Sequence, residues 1–183
     1  MVSASPMAYK SLAHHVARWV DEAEVRVKAL TLTQPWASLM AFEEKRMETR
    51  SWYTGYRGEL VVHSAKAFPK FERELCSLPH FYEALRRIPA DELPLSRGLC
   101  VVRLLACIKT TELHKVEAVL GVKPSLNELR FGNYEPDRFA WVTEYVRPLD
   151  NVGPVRGSLG LWEWAESDQE KAENAFLQGE ALL

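Results

Sequence analysis

Cysteine is scarce in this chain of 183 residues, with Cys76, Cys100 and Cys107 alone. The number is odd and no Cys-x-x-Cys spacing occurs, which argues against a disulfide framework and against a thiolate zinc site. Cys100 and Cys107 fall in or beside an apolar run and read as small core residues. Such usage fits the reducing cytoplasm. No stretch reaches the roughly 18 apolar residues of a membrane span, and the N-terminus lacks the charged-then-apolar pattern of a secretion signal. There is no Gly-rich phosphate loop, no regular β-α-β alternation, no internal repeat and no low-complexity tract. The net charge is only -2, so no global basic field announces a nucleic-acid binder.

The distribution of charge says more than its total. From Lys45 to Arg73 seven Lys/Arg stand against three Glu, a local +4. From Glu163 to Leu183 six acids stand against Lys171 alone, a local -5. A basic segment and an acidic tail hide in a nearly neutral whole. With 47% hydrophobic residues the chain can bury one substantial core. We divide it into a helical extension over 1–25, a main domain over 26–164 and an acidic helix or tail over 165–183.

In the extension, Leu12, Val16, Trp19, Val20 and Ala23 recur at helical spacing, which predicts an amphipathic helix over 7–24. His14 and His15 lie on it without a partner at metal-ligand spacing. The main domain opens on alternating residues, Val27 to Thr33, that predict a strand. Pro35 suits a first helical turn, continued by Trp36 to Ala41. Strands are expected over 47–52 and 59–64, with a two-glycine loop between them. Helix is expected over 69–89, broken at Pro79. Gly98 to Ile108 is nearly unbroken apolar sequence and reads as a buried central strand. A short helix over 111–120 precedes a Gly/Pro-punctuated loop over 124–137, with one helical turn near 125–129. Phe139 to Val146 alternates as a strand that Pro148 is expected to end. Leu159 to Trp164 is the last strand. The set implies an α+β fold: a mixed β-barrel of five or six strands with flanking helices.

Several motifs stand in one order: Leu30-x-Leu-x-Gln-Pro-Trp-Ala37, Lys45-Arg-Met-Glu-Thr-Arg-Ser-Trp52, Tyr56-Arg-Gly58, His63-Ser-Ala-Lys66, Phe131-Gly-Asn-Tyr134, Phe139-Ala-Trp141 and Gly160-Leu-Trp162. In these the stretch Val27–Trp164 resembles the ASCH domain of the PUA-like superfamily. The resemblance implies a small barrel with a cleft flanked by helices. Related PUA-like domains bind RNA or modified bases. Some ASCH proteins are similar to amidohydrolases that remove an acyl group from the exocyclic amine of cytidine, and others are linked to RNA cleavage. The amidohydrolase pattern places Lys three positions before a Thr nucleophile and Arg two further on. Here Lys45 and Arg50 match, but Glu48 stands where that Thr would be. Glu43 also stands where many ASCH sequences have Gly.

Glu48 and Arg50 are two apart and project to one face of a strand. Lys45 has the opposite parity but falls at a helix-strand junction, where it can turn in. A carboxylate between two cations is favoured in its charged form, which suits a base or an acceptor for an exocyclic amine. Lys45 and Arg50 can hold a phosphate or polarise a carbonyl. The bland alternative is a surface ion-pair strand of little energetic weight. If the chain hydrolyses, Lys45, Glu48 and Arg50 carry the chemistry and water activated by Glu48 is the nucleophile. No metal or other cofactor is required.

Ligand-binding candidates surround this strand. Trp36 either stacks a base or plugs the barrel, and Gln34 either reads a base edge or caps a helix turn. Trp52, Tyr53 and Tyr56, interleaved with Arg50 and Arg57, read as a stacking platform or as packing. Ser64 and Lys66 can contact phosphate. His63 and Ser64 are adjacent on a strand and point to opposite faces, which opposes a dyad between them. Asn133, Tyr134 and Arg138 fall in a loop that can cover a cleft. The leading expectation is a module that binds single-stranded RNA or a modified nucleoside and does not enter a membrane. A hydrolase (amidohydrolase or ribonuclease) and a protein-interaction domain are the alternatives.

Overall fold

The computed structural model describes residues 27–164, and the side chains of residues 150–152 are outside that description. The amphipathic helix over 7–24 and the acidic helix of the C-terminal tail lie outside the described residues. Six strands form one mixed sheet: β1 (Val27–Leu32), β2 (Met47–Arg50), β3 (Gly58–Ser64), β4 (Gly98–Lys109), β5 (Phe139–Val152) and β6 (Leu161–Trp164), in the order β2-β5-β4-β3-β1-β6. Only β1 and β3 run parallel, with Thr31 opposite His63. The helices are short: α1 (Trp36–Ala41), α2 (Lys70–Leu75), α3 (Pro79–Ala84), α4 (Val116–Leu120) and α5 (Leu126–Arg130).

The central strands are apolar on both faces because both faces are covered. Leu60 and Val62 enter a cluster with Leu30, Leu32, Val102, Leu104 and Trp141, onto which α1 packs Ala37 and Met40. Val61, between them, points the other way, into Ala29, Val101, Leu149 and Trp164. β5 divides likewise. Phe139, Trp141 and Tyr145 face the first cluster, and Ala140 and Val142 face Met47, Ile108 and Val116. Trp141 is fully buried, and its truncation to Ala costs about 3–5 kcal/mol by the usual loss for a buried aromatic.

The closed barrel expected from the sequence is not what these strands form. β2 pairs with β5 and β6 pairs with β1, each along one edge. β6 ends its pairing opposite Leu30. Just beyond, the Thr31 carbonyl accepts Arg50 Nη2 at 3.2 Å. A side chain therefore spans the gap where a barrel would need a backbone ladder. Pro148 does not end β5. The register against β4 slips there, from Cys100↔Pro148 to Gly98↔Val152. A proline at a bulge has no ladder amide to lose. Glu43 adopts φ 65°, the left-handed conformation that favours glycine.

Candidate nucleic-acid interface

A cleft of about 1850 Å³ opens where β1 and β3 finish, and strand ends and loops from the whole chain line it. Thr31 to Thr33 come from the end of β1, Glu48 to Arg50 from β2, and His63 with Ala65 to Ala67 from the end of β3. Ser96 and Arg97 precede β4, Arg130 to Asn133 and Arg138 join α5 to β5, and Pro154 to Gly160 lead into β6. Six of these residues are cationic (Arg50, Lys66, Arg97, Arg130, Arg138, Arg156), and Glu48 is the one carboxylate among the described lining residues. Trp36 and Leu75 supply an apolar side, backed by buried Phe81 and Phe131.

Glu48 is held between two cations. Its Oε1 lies 3.2 Å from Arg50 Nε and its Oε2 3.6 Å from Lys45 Nζ. Lys45 is buried, and its Nζ also donates to the Met47 carbonyl. Lys45 thus backs the wall from inside while Glu48 and Arg50 face the cleft. A buried charge of this kind stands only where it is paired. Behind them Glu128 of α5 accepts Arg46 N at 2.7 Å and Met47 N at 3.0 Å. Its carboxyl is raised above the ordinary 4.5 by burial, against the pull of Lys45 and the two amides. Ser125 caps α5 by accepting Glu128 N, and so seats the carboxylate.

A second polar group lies at the meeting of β1, β3 and β6. Val155 O sits 3.0 Å from His63 Nε2, which is assigned the proton. Nδ1 then accepts from the Thr31 hydroxyl at 3.2 Å, and Thr31 Oγ1 accepts from Trp162 Nε1 at 3.1 Å. Burial lowers the His63 pKa below 6.5. Gly157 lies against this pair so closely that a Cβ there would stand 2.5 Å from Thr31 Oγ1. Both ring nitrogens are engaged, and the group pins the 154–160 loop to the cleft wall.

The remaining sequence candidates fall in different places. Trp36 and Lys66 line the cleft. Gln34 is fully buried and structural, with Oε1 accepting Ser38 N and Nε2 donating to the Pro94 carbonyl. Ser64 is likewise buried and exchanges hydrogen bonds with Arg97 N and O. Trp52 stands edge-on to Trp141 with ring centroids 4.5 Å apart, and Tyr53 meets Phe139. Tyr56 donates to the Glu59 carbonyl and Arg57 to the Thr54 carbonyl. Tyr134 packs beside the Met47 cluster, and burial with nearby carboxylates raises its pKa. None of Gln34, Lys45, Trp52, Tyr56, Arg57, Ser64 or Tyr134 lines the cleft. Sequence reasoning missed Arg97, Arg130 and Arg156. Arg97 directly precedes β4, as Arg138 precedes β5, and that position at a strand end is the signal that could have found it.

Among the described residues no helix is long and apolar enough to cross a membrane, and no group of His, Cys, Asp and Glu is placed to hold a metal ion. The model of the ASCH domain matches residues 30–153, so the 154–160 loop lies outside the matched stretch. The chain is 36% identical over 187 residues to "Activating signal cointegrator 1" of Mus musculus, a match covering 97% of this chain and 30% of that protein. It is 42% identical over 153 residues to "Activating signal cointegrator 1" of Homo sapiens, covering 81% of this chain and 24% of that protein. The chain thus spans less than a third of the length of these relatives. A family match across β1 to β5, joined to relatives at this identity, shows that the chain belongs to the ASCH-domain family.

Proposed function

We propose that the domain binds single-stranded RNA or a modified nucleotide in this cleft. One observation carries the reading: six Arg and Lys side chains line the cleft against a single carboxylate. A chain of net charge -2 gathers them from five separate segments, which general solubility does not require. Trp36 gives the cleft an aromatic surface beside these cations, the combination that single-stranded nucleic acids use. A PUA-like ancestry of the open sheet and a reducing, cytoplasmic setting for the three free thiols accord with this reading. The relatives are named as activating signal cointegrators, and we assign to this domain a nucleic-acid contact.

The test is fluorescence anisotropy with a labelled 12-nucleotide RNA across a salt series. If all six cations meet phosphate, log K falls against log salt with a slope of about -4, at about -0.7 per contact for a single strand. Arg50→Ala should weaken binding and reduce the slope by about 0.7. Affinity unchanged between 50 and 200 mM salt, roughly the range over which such contacts act, ends the reading. Glu48 at the cleft wall favours one second reading, hydrolysis with Glu48 as base. A denaturing gel of the same mixtures tests it, because shortened RNA with wild type and intact RNA with Glu48→Gln is the result it requires.

A further inference from the structure

Two guanidinium groups in the cleft are held but underused. Arg50 makes one hydrogen bond, from Nη2 to the Thr31 carbonyl at 3.2 Å. Arg138 also makes one, from Nη2 to the Thr49 carbonyl at 3.1 Å. A guanidinium carries five N–H donors, so four remain on each. The Nε of each is buried with no acceptor in hydrogen-bond geometry. These two and the Ser38 hydroxyl are the unsatisfied buried side-chain atoms among the described residues. Buried donors are seldom left so, and two on cleft-lining arginines need an acceptor to explain them. The anchoring to carbonyls on β1 and β2 fixes the forks in place, which lowers the entropy lost when they grip an anion.

Glu48 shares this place. Its Oε1 is 3.2 Å from Arg50 Nε but off the direction of that N–H, so the pair is Coulombic without a made hydrogen bond. Lys45 Nζ holds the other oxygen from the buried side. Glu48 can therefore turn toward Lys45 and release Arg50 to a better acceptor. In the same cleft, Trp36 and Leu75 offer a half-buried apolar surface of the kind a base covers.

We infer that Arg50 and Arg138 form a phosphate subsite for one nucleotide unit, with the base against Trp36 and Leu75 and with Glu48 as an internal competitor for Arg50. The inference rests on the proposed nucleic-acid reading and makes it specific, because recognition then centres on a single phosphorylated nucleotide rather than on a diffuse basic surface. It also assigns Glu48 a role opposite to a helper of binding. Removing its charge should tighten the subsite.

Isothermal calorimetry on the full chain tests this with nucleoside monophosphates, the matching nucleosides and inorganic phosphate. The monophosphate should bind at least about tenfold more tightly than its nucleoside, since a charge-assisted bidentate contact is worth that much or more. Arg138→Gln should remove that advantage, while Arg103→Gln, whose guanidinium pairs with Glu59 and Glu144 away from the cleft, should not. Glu48→Gln should tighten monophosphate binding about three- to tenfold, the release of one nearby like charge. Thermal melts accompany each variant. If Arg138→Gln does not fold, Arg138→Lys decides, because it keeps the charge and loses the fork. An advantage that survives at Arg138, weaker binding by Glu48→Gln, or inorganic phosphate binding as tightly as the nucleotide each overturns the inference. Salt-dependent RNA binding with no such subsite would leave the broader reading standing. Monophosphate binding without RNA binding would end the RNA reading and leave the subsite.

Discussion

Glu128→Ala perturbs a buried contact that ties α5 to the start of β2. The carboxylate is buried and accepts the amides of Arg46 and Met47. Alanine leaves both amides without an acceptor beside a fully buried Met47 side chain. Each orphaned donor costs about 1–3 kcal/mol, so the gross loss is about 2–6 kcal/mol. Burial of the carboxylate itself opposes this, and its raised pKa reports that cost. We expect a net loss of about 2–4 kcal/mol, or about 4–16 °C in Tm at about 2–4 °C per kcal/mol for a chain of this size. Glutamine keeps one acceptor and should lose about half as much. The pH dependence has a definite sign. An acid raised in the folded state binds more protons folded than unfolded above 4.5. Its contribution to stability is full below 4.5 and is lost as pH rises through the folded value. The gap between wild type and Glu128→Ala should therefore widen as pH falls from 7 toward 4.5. Melts by circular dichroism across that range are the assay. A Tm within 1 °C of wild type, or a gap that narrows on acidification, refutes the reasoning. Because α5 also carries Arg130 to the cleft, RNA affinity should fall in the same variant.

Gly157→Ala should displace the 154–160 loop, since its Cβ would meet Thr31 Oγ1 and His63 Nδ1 at 2.5 and 2.6 Å. The expected loss is about 1–3 kcal/mol with altered Trp162 fluorescence, and an unchanged melt and spectrum would contradict the packing. His63 has the opposite linkage to Glu128: its pKa is lowered by burial, so its contribution is present above 6.5 and is lost as pH falls below that. His63→Gln should flatten the wild-type fall in Tm on that side, and an identical profile would remove His63 from it. Titration with a thiol reagent should modify Cys107 first and slowly. Burial pushes Cys100 up to about 12 and raises Cys76 and Cys107, and Cys107 alone is only half-buried. Rapid reaction of all three in the folded protein would contradict the buried positions.

Periodicity in the sequence located nearly every element, because both strand faces are buried and leave long apolar runs such as Gly98 to Ile108. Its errors lay where tertiary pairing overrode a local rule. Pro148 reads as a stop until the β4–β5 register slips beneath it. β2 ends at Arg50 rather than Trp52, since the pairing partner at Arg50 is Phe139, the first residue of β5. The motif around Lys45, Glu48 and Arg50 was legible as a charged cluster, and strand parity put Glu48 and Arg50 together. Parity did not say that Lys45 would be sealed behind them, nor that Gln34 and Ser64 would spend their polar atoms on backbone. Aromatic interleaving at 52–56 suggested a platform or packing; Trp52 and Tyr53 stay exposed while their rings meet Trp141 and Phe139, residues some 90 positions away that no local pattern announces. The sequence by itself determined the strands, the family and the charge triad, because these rest on spacing within a few residues. The tertiary structure alone decided the cleft, because its six cations are spread from Arg50 to Arg156 in the chain and converge only where the sheet stays open.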